Sequence, residues 1–452
     1  MAKGVPSSRG WALLVVGAGV ALAAPSCVSP TATRARQAEQ RLQKAIKQLA
    51  ATGAPIKATQ LAKPPVPDAE NAALVYQKAF AAMRVTRDYR DFTTNLSRGK
   101  LSLADPAVVA RAERILKQNA AALQLIHRGA NMPRCDFRLD WSEGAALTFP
   151  QFAPLRNCAR LLGLKAIMLA HRGRVDDALA VCGDGFRVVK AGDEPILIGA
   201  LVQYSIIAIT SRSLEQILDG SQPSGSACRR LGTSVASIDL TRSLTVALTA
   251  ERAMDMSLFD QARASRDPVK FVWELSGPAG ENERPPKVPR NSWFVRWWLA
   301  SDELMYLELM DRAIGDASLP YRKARHIEAE VEDRVRTHRG IPAPLMTAIL
   351  MPVYSRSHAA RDRAIASLGL VEIALLLKAY RAEHGGYPQS LQQLGGLNGR
   401  PLPTDPFSGK PFVYRREGAG FLIYSWGPNL KDDGGKVGKT QDEGDIVMRC
   451  GR

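Results

Sequence analysis

Apolar residues recur every three or four positions over most of the chain, which is the spacing of amphipathic helices. Asp68 is predicted to cap one helix, and Asp105-Pro106 to start a later one with an acceptor side chain and a proline in its first turn. Gly129 is expected to end that later helix. The pattern therefore predicts a helical body over residues 68–265.

The most regular part of this body lies at 154–207. One helix is predicted over 154–171, a second over 175–190, and Glu194-Pro195 opens a third. The first two resemble a tetratricopeptide repeat hairpin, although the aromatic signature of that family is mostly missing. The resemblance rests on small residues near the positions where the family packs its two helices together: Ala166, Ala178 and Gly185. Such hairpins cannot bury their faces alone, so we expect stacked helical hairpins.

The N-terminus, residues 1–27, has the pattern of an export signal. Lys3 and Arg9 precede an uncharged, mostly apolar stretch of about fourteen residues, 11–24, which is short for a bilayer span of roughly 20 residues. Residues 24–27, Ala-Pro-Ser-Cys, resemble a lipobox, in which Cys27 would become the acylated first residue of a bacterial lipoprotein, although the proline is unusual there. Cleavage by ordinary signal peptidase and an uncleaved anchor are the alternatives. All three place the body outside the cytoplasm, on the periplasmic side of the envelope or at the outer membrane.

Residues 28–67 are predicted to be a tether and linker. The tether is polar at 31–36, and a short helix is expected over 38–51. The prolines at 63–67 end any helix there, because proline lacks the amide donor.

A loop at 135–144 carries acidic and aromatic residues between two predicted helices. Asp136, Asp140 and Trp141 could form a site there, since loops often carry function. The alternative, which we favour, is a plug in which Trp141 covers a helix end.

A second irregular segment, 266–292, is rich in proline and glycine. Large aromatics flank it, and they either contact a membrane interface or dock back onto the body, which we favour: Trp273, Trp293, Phe294, Trp297 and Trp298. Further helices are predicted over 293–354, including a charged, solvated helix from about 320 to 339.

The pattern changes again over 355–452. A long helix is expected to end at Gly385 or Gly386, because glycine suits the left-handed C-cap. Short strands are predicted at 411–415, 420–426 and 446–449, the first two joined by a hairpin loop. The fold class is therefore mainly α, of stacked helical hairpins, with a C-terminal α+β domain.

This C-terminal domain resembles the major pseudopilin of type II secretion. Four blocks over 360–449 carry the resemblance in order: AYRAEHGGYP, PTDPFSGKPFVY, FLIYSWGPNLKDDGG and DEGDIV. In that family the C-terminal acidic loop binds calcium, which implies Asn429 and four carboxylates as ligands here: Asp432, Asp433, Asp442 and Asp445. Calcium takes six to eight oxygen ligands. The inserted residues 436–441 lengthen the loop, however, and a solvated acidic hairpin is the alternative.

The chain departs from the pseudopilin pattern before this domain. In the family a membrane helix with a prepilin-peptidase motif directly precedes the domain, whereas 341–354 is interrupted by Pro342, Pro344 and Pro352. We therefore expect neither processing nor polymerisation as a pilin, and a shared fold does not carry function with it.

Lys and Arg total 61 against 44 acidic residues, a formal charge of +17, which favours anionic partners. Since no long basic run and no nucleic-acid motif accompanies this charge, we interpret most of it as solvated helix faces and expect no nucleic-acid partner. The cysteines beyond Cys27 have neither CxxC nor zinc spacing. They could form at most two disulfides, but we interpret them as small buried hydrophobes: Cys135, Cys158, Cys182, Cys228 and Cys450.

No HExxH, GxSxG, P-loop or dinucleotide-binding motif is present. The sequence favours an envelope-anchored protein with a structural or protein-interaction role, associated by analogy with a secretion-type assembly. One alternative is an envelope enzyme with a site in the helical body, for which Asp136 and Asp140 are one candidate pair. The other is a protein that binds membrane surfaces or polyanions.

Overall fold

The computed structural model describes residues 30–275, 292–337, 344–351, 356–440 and 442–451. These ranges are mainly helical, with a small three-stranded antiparallel sheet near the C-terminus. The prediction of a mainly α chain with a small β part is confirmed. The predicted export signal with Cys27, and 276–291 of the second irregular segment, lie outside the described residues.

The helices are numbered in chain order. Those up to the end of the predicted hairpin region are α1 (Pro30–Ala51), α2 (Ala72–Ala82), α3 (Arg87–Ser97), α4 (Pro106–Gln118), α5 (Ala120–Ala130), α6 (Phe152–His171), α7 (Val175–Arg187) and α8 (Leu197–Gly220). Those that follow are α9 (Gly225–Ala236), α10 (Ser243–Ala264), α11 (Pro268–Leu275), α12 (Trp293–Asp316), α13 (Tyr321–Thr337), α14 (Leu345–Leu350) and α15 (Ser357–His384).

The predicted helix starts are correct where the capping residue bonds only to the first turn of its own helix. Asp105 caps α4, as predicted, by accepting a hydrogen bond from the Ala107 amide at 2.8 Å. Asp68 does not cap α2, since it lies in a short 3-10 turn and Asn71 accepts from the Ala73 amide instead. The Asn71 side chain is fully buried and also bonds both backbone groups of Asp136, a long-range contact that fixes the cap.

Helix α1 begins earlier than predicted. It includes 31–36, which the sequence assigned to a polar tether, and it packs along α12. Arg296 on α12 donates to both carboxylate oxygens of Glu39, at 2.7 and 2.5 Å. Within the segment that the prediction missed, Ala35 is buried, a contact that the polar local pattern does not reveal.

Helices α6, α7 and α8 pack against one another in the centre of the body, and they include the predicted hairpin. Small residues allow the close approach: a Cβ on Gly185 of α7 would lie 2.9 Å from the Thr210 side chain of α8. Among the described helices α8 alone is long and apolar enough to cross a membrane by length and composition. It is 61% buried inside the body, as a core helix is.

The sheet is a meander of β1 (Val413–Glu417), β2 (Gly420–Ser425) and β3 (Ile446–Cys450), in that order. Glu417 pairs with Gly420, so a tight turn at Gly418-Ala419 replaces the longer predicted loop. Gly385, with φ +77°, forms the expected left-handed cap of α15.

The C-terminal elements are braced against the helical body. Helix α15 is buried along most of its length and packs on α8 and α9. Lys378 of α15 donates to the carbonyl oxygen of Ser221 at 2.7 Å, just after α8. The Gly451 amide, after β3, donates to Asp219 at 2.8 Å. The sheet is therefore held in a fixed position on the stack.

Candidate functional site

The connection from β2 to β3, residues 426–445, is the candidate site, and Asp445 lies at its base. The Asp445 side chain is buried. Its two oxygens accept hydrogen bonds from the backbone amides of Gly435, at 2.6 Å, and Asp433, at 3.3 Å. The chain around 433–435 is thereby folded over Asp445.

Two further carboxylates line the same part of this loop. Asp432 accepts a hydrogen bond from the Tyr424 hydroxyl of β2 at 2.9 Å, and Asp433 accepts one from the Asn429 amide at 2.7 Å. Leu430 has φ +58°, a left-handed conformation that is uncommon for a bulky residue. The loop therefore turns sharply and brings its acidic residues together over β2.

The charges in this loop repel one another. Burial raises the pKa of Asp445, and the neighbouring carboxylates of Asp433 and Asp432 raise it further, while the amide hydrogen bonds lower it. A bound cation would stabilise the charged form of a buried carboxylate that has two other carboxylates near it.

Asp442, the fourth predicted ligand, takes a different position. Its exposed carboxylate forms an ion pair with Arg363 of α15. The structure thus places three of the predicted acidic residues in one part of the loop and pairs the fourth with an arginine.

The donor chemistry fits calcium better than softer metals, because the carboxylates and amide of this loop, with its backbone carbonyls, are all oxygen donors. The geometry is less complete. Within the described ranges, no group of three or more His, Cys, Asp and Glu side chains is arranged to hold a metal ion. Calcium binding therefore stays a prediction of the resemblance.

The loop 135–144 packs as a plug. Trp141 is buried and lies edge-on to Phe149, with ring centroids 6.2 Å apart. Asp140 accepts from the amide and hydroxyl of Ser142, which lowers the pKa of Asp140. Asp136 accepts from the Arg138 amide. The two candidate acids therefore serve local backbone turns.

The aromatics beside the second irregular segment are mostly docked on the body. Trp273, Phe294 and Trp298 are buried, whereas Trp293 and Trp297 are half-buried. This agrees with docking as the main role of the cluster.

The structure gathers one carboxylate pair that sequence reasoning missed. Glu251 and Asp255 lie one turn apart on α10. Glu251 accepts a hydrogen bond from the Leu197 amide of α8 at 2.7 Å. Asp255 accepts one from the Tyr306 hydroxyl of α12 at 2.6 Å. Burial and the Asp255 charge raise the pKa of Glu251 to about 7. The i, i+4 spacing of the two acids was the only signal of this pair in the sequence, and such spacing is common in helices. Each carboxylate is engaged by a neighbouring helix, so the pair joins α8, α10 and α12.

The cysteines after position 27 are free thiols, and all but the half-buried Cys135 are buried. Burial raises the pKa of Cys182, Cys228 and Cys450 to about 12. This agrees with their interpretation as small hydrophobes.

No protein-family model, no curated protein and no solved structure matches the chain.

Proposed function

We propose that this chain is an exported, envelope-anchored protein with a structural or protein-interaction role, whose 426–445 loop binds calcium and presents a docking surface. The observation that carries the proposal is the fold of one loop around Asp445, whose carboxylate accepts from the Asp433 and Gly435 amides, with Asp432 and Asp433 in the same loop.

The position of the loop suits docking. It rises from a sheet that α15 and β3 fix to the helical body, so a bound partner would be held at a defined angle to the stack. Val437 in this loop is 74% exposed, and a large apolar side chain at such a position is a common anchor in interfaces.

Calcium would be held by Asp432, Asp433 and Asp445, with Asn429 and backbone carbonyls as further oxygen donors. The cation would offset the repulsion among the carboxylates and order the loop. The link to a secretion-type assembly rests on the resemblance to pseudopilins, and is an argument by analogy.

The first experiment is thermal unfolding of the protein with calcium or with chelator. A ligand that binds only the folded state at 100 times its dissociation constant adds about 2.7 kcal/mol to stability. We expect calcium to raise the unfolding temperature of the wild type, and Asp445→Asn or Asp433→Asn to remove that rise. Glu443→Gln, an exposed acid in the same loop, is the matched control and should retain it. The same shift in all four proteins, or in none, would refute the loop as the site.

The partner is tested separately, by cross-linking the native envelope and identifying what co-purifies. Recovery of secretion-system components from wild type and Glu443→Gln, but not from Asp445→Asn, would support a docking role for the loop. Recovery of bulk envelope material alone would count against that role.

A further inference from the structure

Helix α1 has two faces of opposite character. One face is buried against the body through Ala35, Ala38 and Leu42. At 100° per residue, Arg36, Lys44 and Lys47 lie on the opposite face and Arg34 and Arg41 on its flank, and all five are exposed. The side chains between them are glutamines, so this face is polar and positive throughout.

The positive charge on this face is not neutralised within the described part of the chain. The single acid of α1 is Glu39, and it is turned toward α12, where it is held by Arg296. None of the five basic side chains has an ion-pair partner among the described residues. The five basic residues extend from Arg34 to Lys47, about 20 Å along the helix axis, so the basic surface is extended.

The start of α1 lies close in sequence to the predicted anchor. Pro30 follows Cys27 by three residues, and a chain spans at most about 3.6 Å per residue, so the two are within about 11 Å of each other. An acyl chain on Cys27 would therefore hold the first turn of α1 at the depth of the lipid headgroups. The nearest anionic surface to the basic face is then the membrane itself.

We infer that the basic face of α1 docks on anionic phospholipid headgroups of the membrane to which the N-terminus is anchored, and so fixes the orientation of the body. The inference rests on the proposed anchoring. Each Lys or Arg close to an anionic surface strengthens binding about fivefold. Salt weakens such contacts, because the Debye length is about 8 Å at physiological ionic strength. Among its described residues this face has no exposed large apolar side chain, so docking is electrostatic and needs no insertion.

The test uses the acylated chain purified from membranes and reconstituted in vesicles of phosphatidylcholine, alone or mixed with phosphatidylglycerol. A water-soluble amine reagent labels exposed lysines, and mass spectrometry measures each site. We expect labelling of Lys44 and Lys47 to fall several-fold in the anionic vesicles and to recover at high salt. Labelling of Lys100 and Lys431, exposed lysines outside α1, should be the same in both vesicles.

Two triple variants distinguish an effect of the basic face of α1 from an effect of the protein's net charge. Arg34→Gln/Arg36→Gln/Arg41→Gln should abolish the protection of Lys44 and Lys47. The matched variant, which loses three exposed arginines at α3, should retain it: Arg87→Gln/Arg90→Gln/Arg98→Gln. Equal loss in both variants would overturn the inference.

Failure of the anchoring and failure of the docking give different results. If the wild type does not float with either kind of vesicle, the anchoring is wrong and the inference is overturned with it. If it floats with both and its α1 lysines are labelled equally in both, anchoring stands and docking is refuted.

Discussion

Arg361 and Asp362, neighbours on α15, form an ion pair whose side chains are only 2% and 1% exposed. Arg361 donates to the Asp362 carboxylate at 2.9 and 2.7 Å, and also to the carbonyl oxygens of Ala317 and Leu319, just after α12. Asp362 accepts from the Tyr321 amide at the start of α13, at 2.6 Å. One buried pair thus holds the α12–α13 corner onto α15.

The two residues of this pair should be energetically coupled. Arg361→Met leaves the Asp362 carboxylate buried without its partner, which typically costs about 3–5 kcal/mol. Arg361→Met/Asp362→Asn removes both charges and keeps the volume, so its loss should be smaller than the sum of the two single losses. Urea unfolding of the wild type, the single variants and the double variant measures this coupling. Additive losses would contradict the prediction.

A second buried carboxylate holds the short helix α14. Asp302 of α12 accepts hydrogen bonds from the Met346 and Thr347 amides, at 2.8 and 3.1 Å, and from the Thr347 hydroxyl at 2.7 Å. Burial raises the pKa of Asp302 to about 6, although these hydrogen bonds lower it. The residue therefore makes stability depend on pH in mildly acidic solution.

The sign of this dependence follows from the raised pKa. The unfolded carboxyl has its ordinary value of 3.8, so between that value and about 6 the folded state binds the proton more tightly, and stability falls as pH rises. Asp302→Asn does not titrate. The stability of the wild type relative to Asp302→Asn should therefore increase by about 1 kcal/mol from pH 7 to pH 5. Urea unfolding of both proteins at the two pH values measures it, and a constant difference would refute the prediction.

A third prediction concerns the packing of α7 on α8. A Cβ at Gly185 would lie 2.9 Å from the Thr210 side chain, so Gly185→Ala should separate the helices and destabilise the protein by about 1–3 kcal/mol. Gly315 of α12 is the matched control, because a Cβ there meets nothing within 4 Å. Gly315→Ala should stabilise by about 0.5–1 kcal/mol, from helix propensity alone. Equal effects of the two substitutions would contradict close packing at Gly185.

The sequence predicts this fold best where the signal is local. The Asp105 cap, the Gly385 end of α15 and the final strand all depend on neighbouring residues, and these predictions are confirmed. The predictions for Asp68 and for 31–36 are wrong, since contacts distant in sequence are made there: Asn71 bonds Asp136, and Ala35 is buried.

The candidate site shows the same limit. The order of the pseudopilin-like sequence blocks predicted that Asp432, Asp433 and Asp445 share one loop. It could not show that Arg363 of α15 pairs with Asp442. Buried charges such as Arg361 and Asp302 were missed for a related reason. A charged residue in an amphipathic helix carries no local sign of whether another helix covers it.

The last prediction concerns Asp405, in the block PTDPFSGKPFVY. Its side chain is 1% exposed, and it accepts four hydrogen bonds. They come from the Phe407 and Ser408 amides, each at 3.1 Å, the Ser425 hydroxyl at 2.7 Å and the Trp426 amide at 3.3 Å. One carboxylate therefore joins the turn before β1 to the end of β2, directly beside the 426–445 loop.

Asp405→Ala leaves these four donors without an acceptor, and we expect it to destabilise the C-terminal elements by roughly 3 kcal/mol. Thiol labelling can locate the damage, because Cys450 is buried in the sheet and Cys158 in the helical body. Cys450 should react faster in Asp405→Ala while Cys158 stays protected, and the exposed-site control Asp442→Ala should leave both protected. If Cys450 and Cys158 become reactive together, the sheet and the stack unfold as one unit, and Asp405 stabilises the whole protein rather than the C-terminal elements alone.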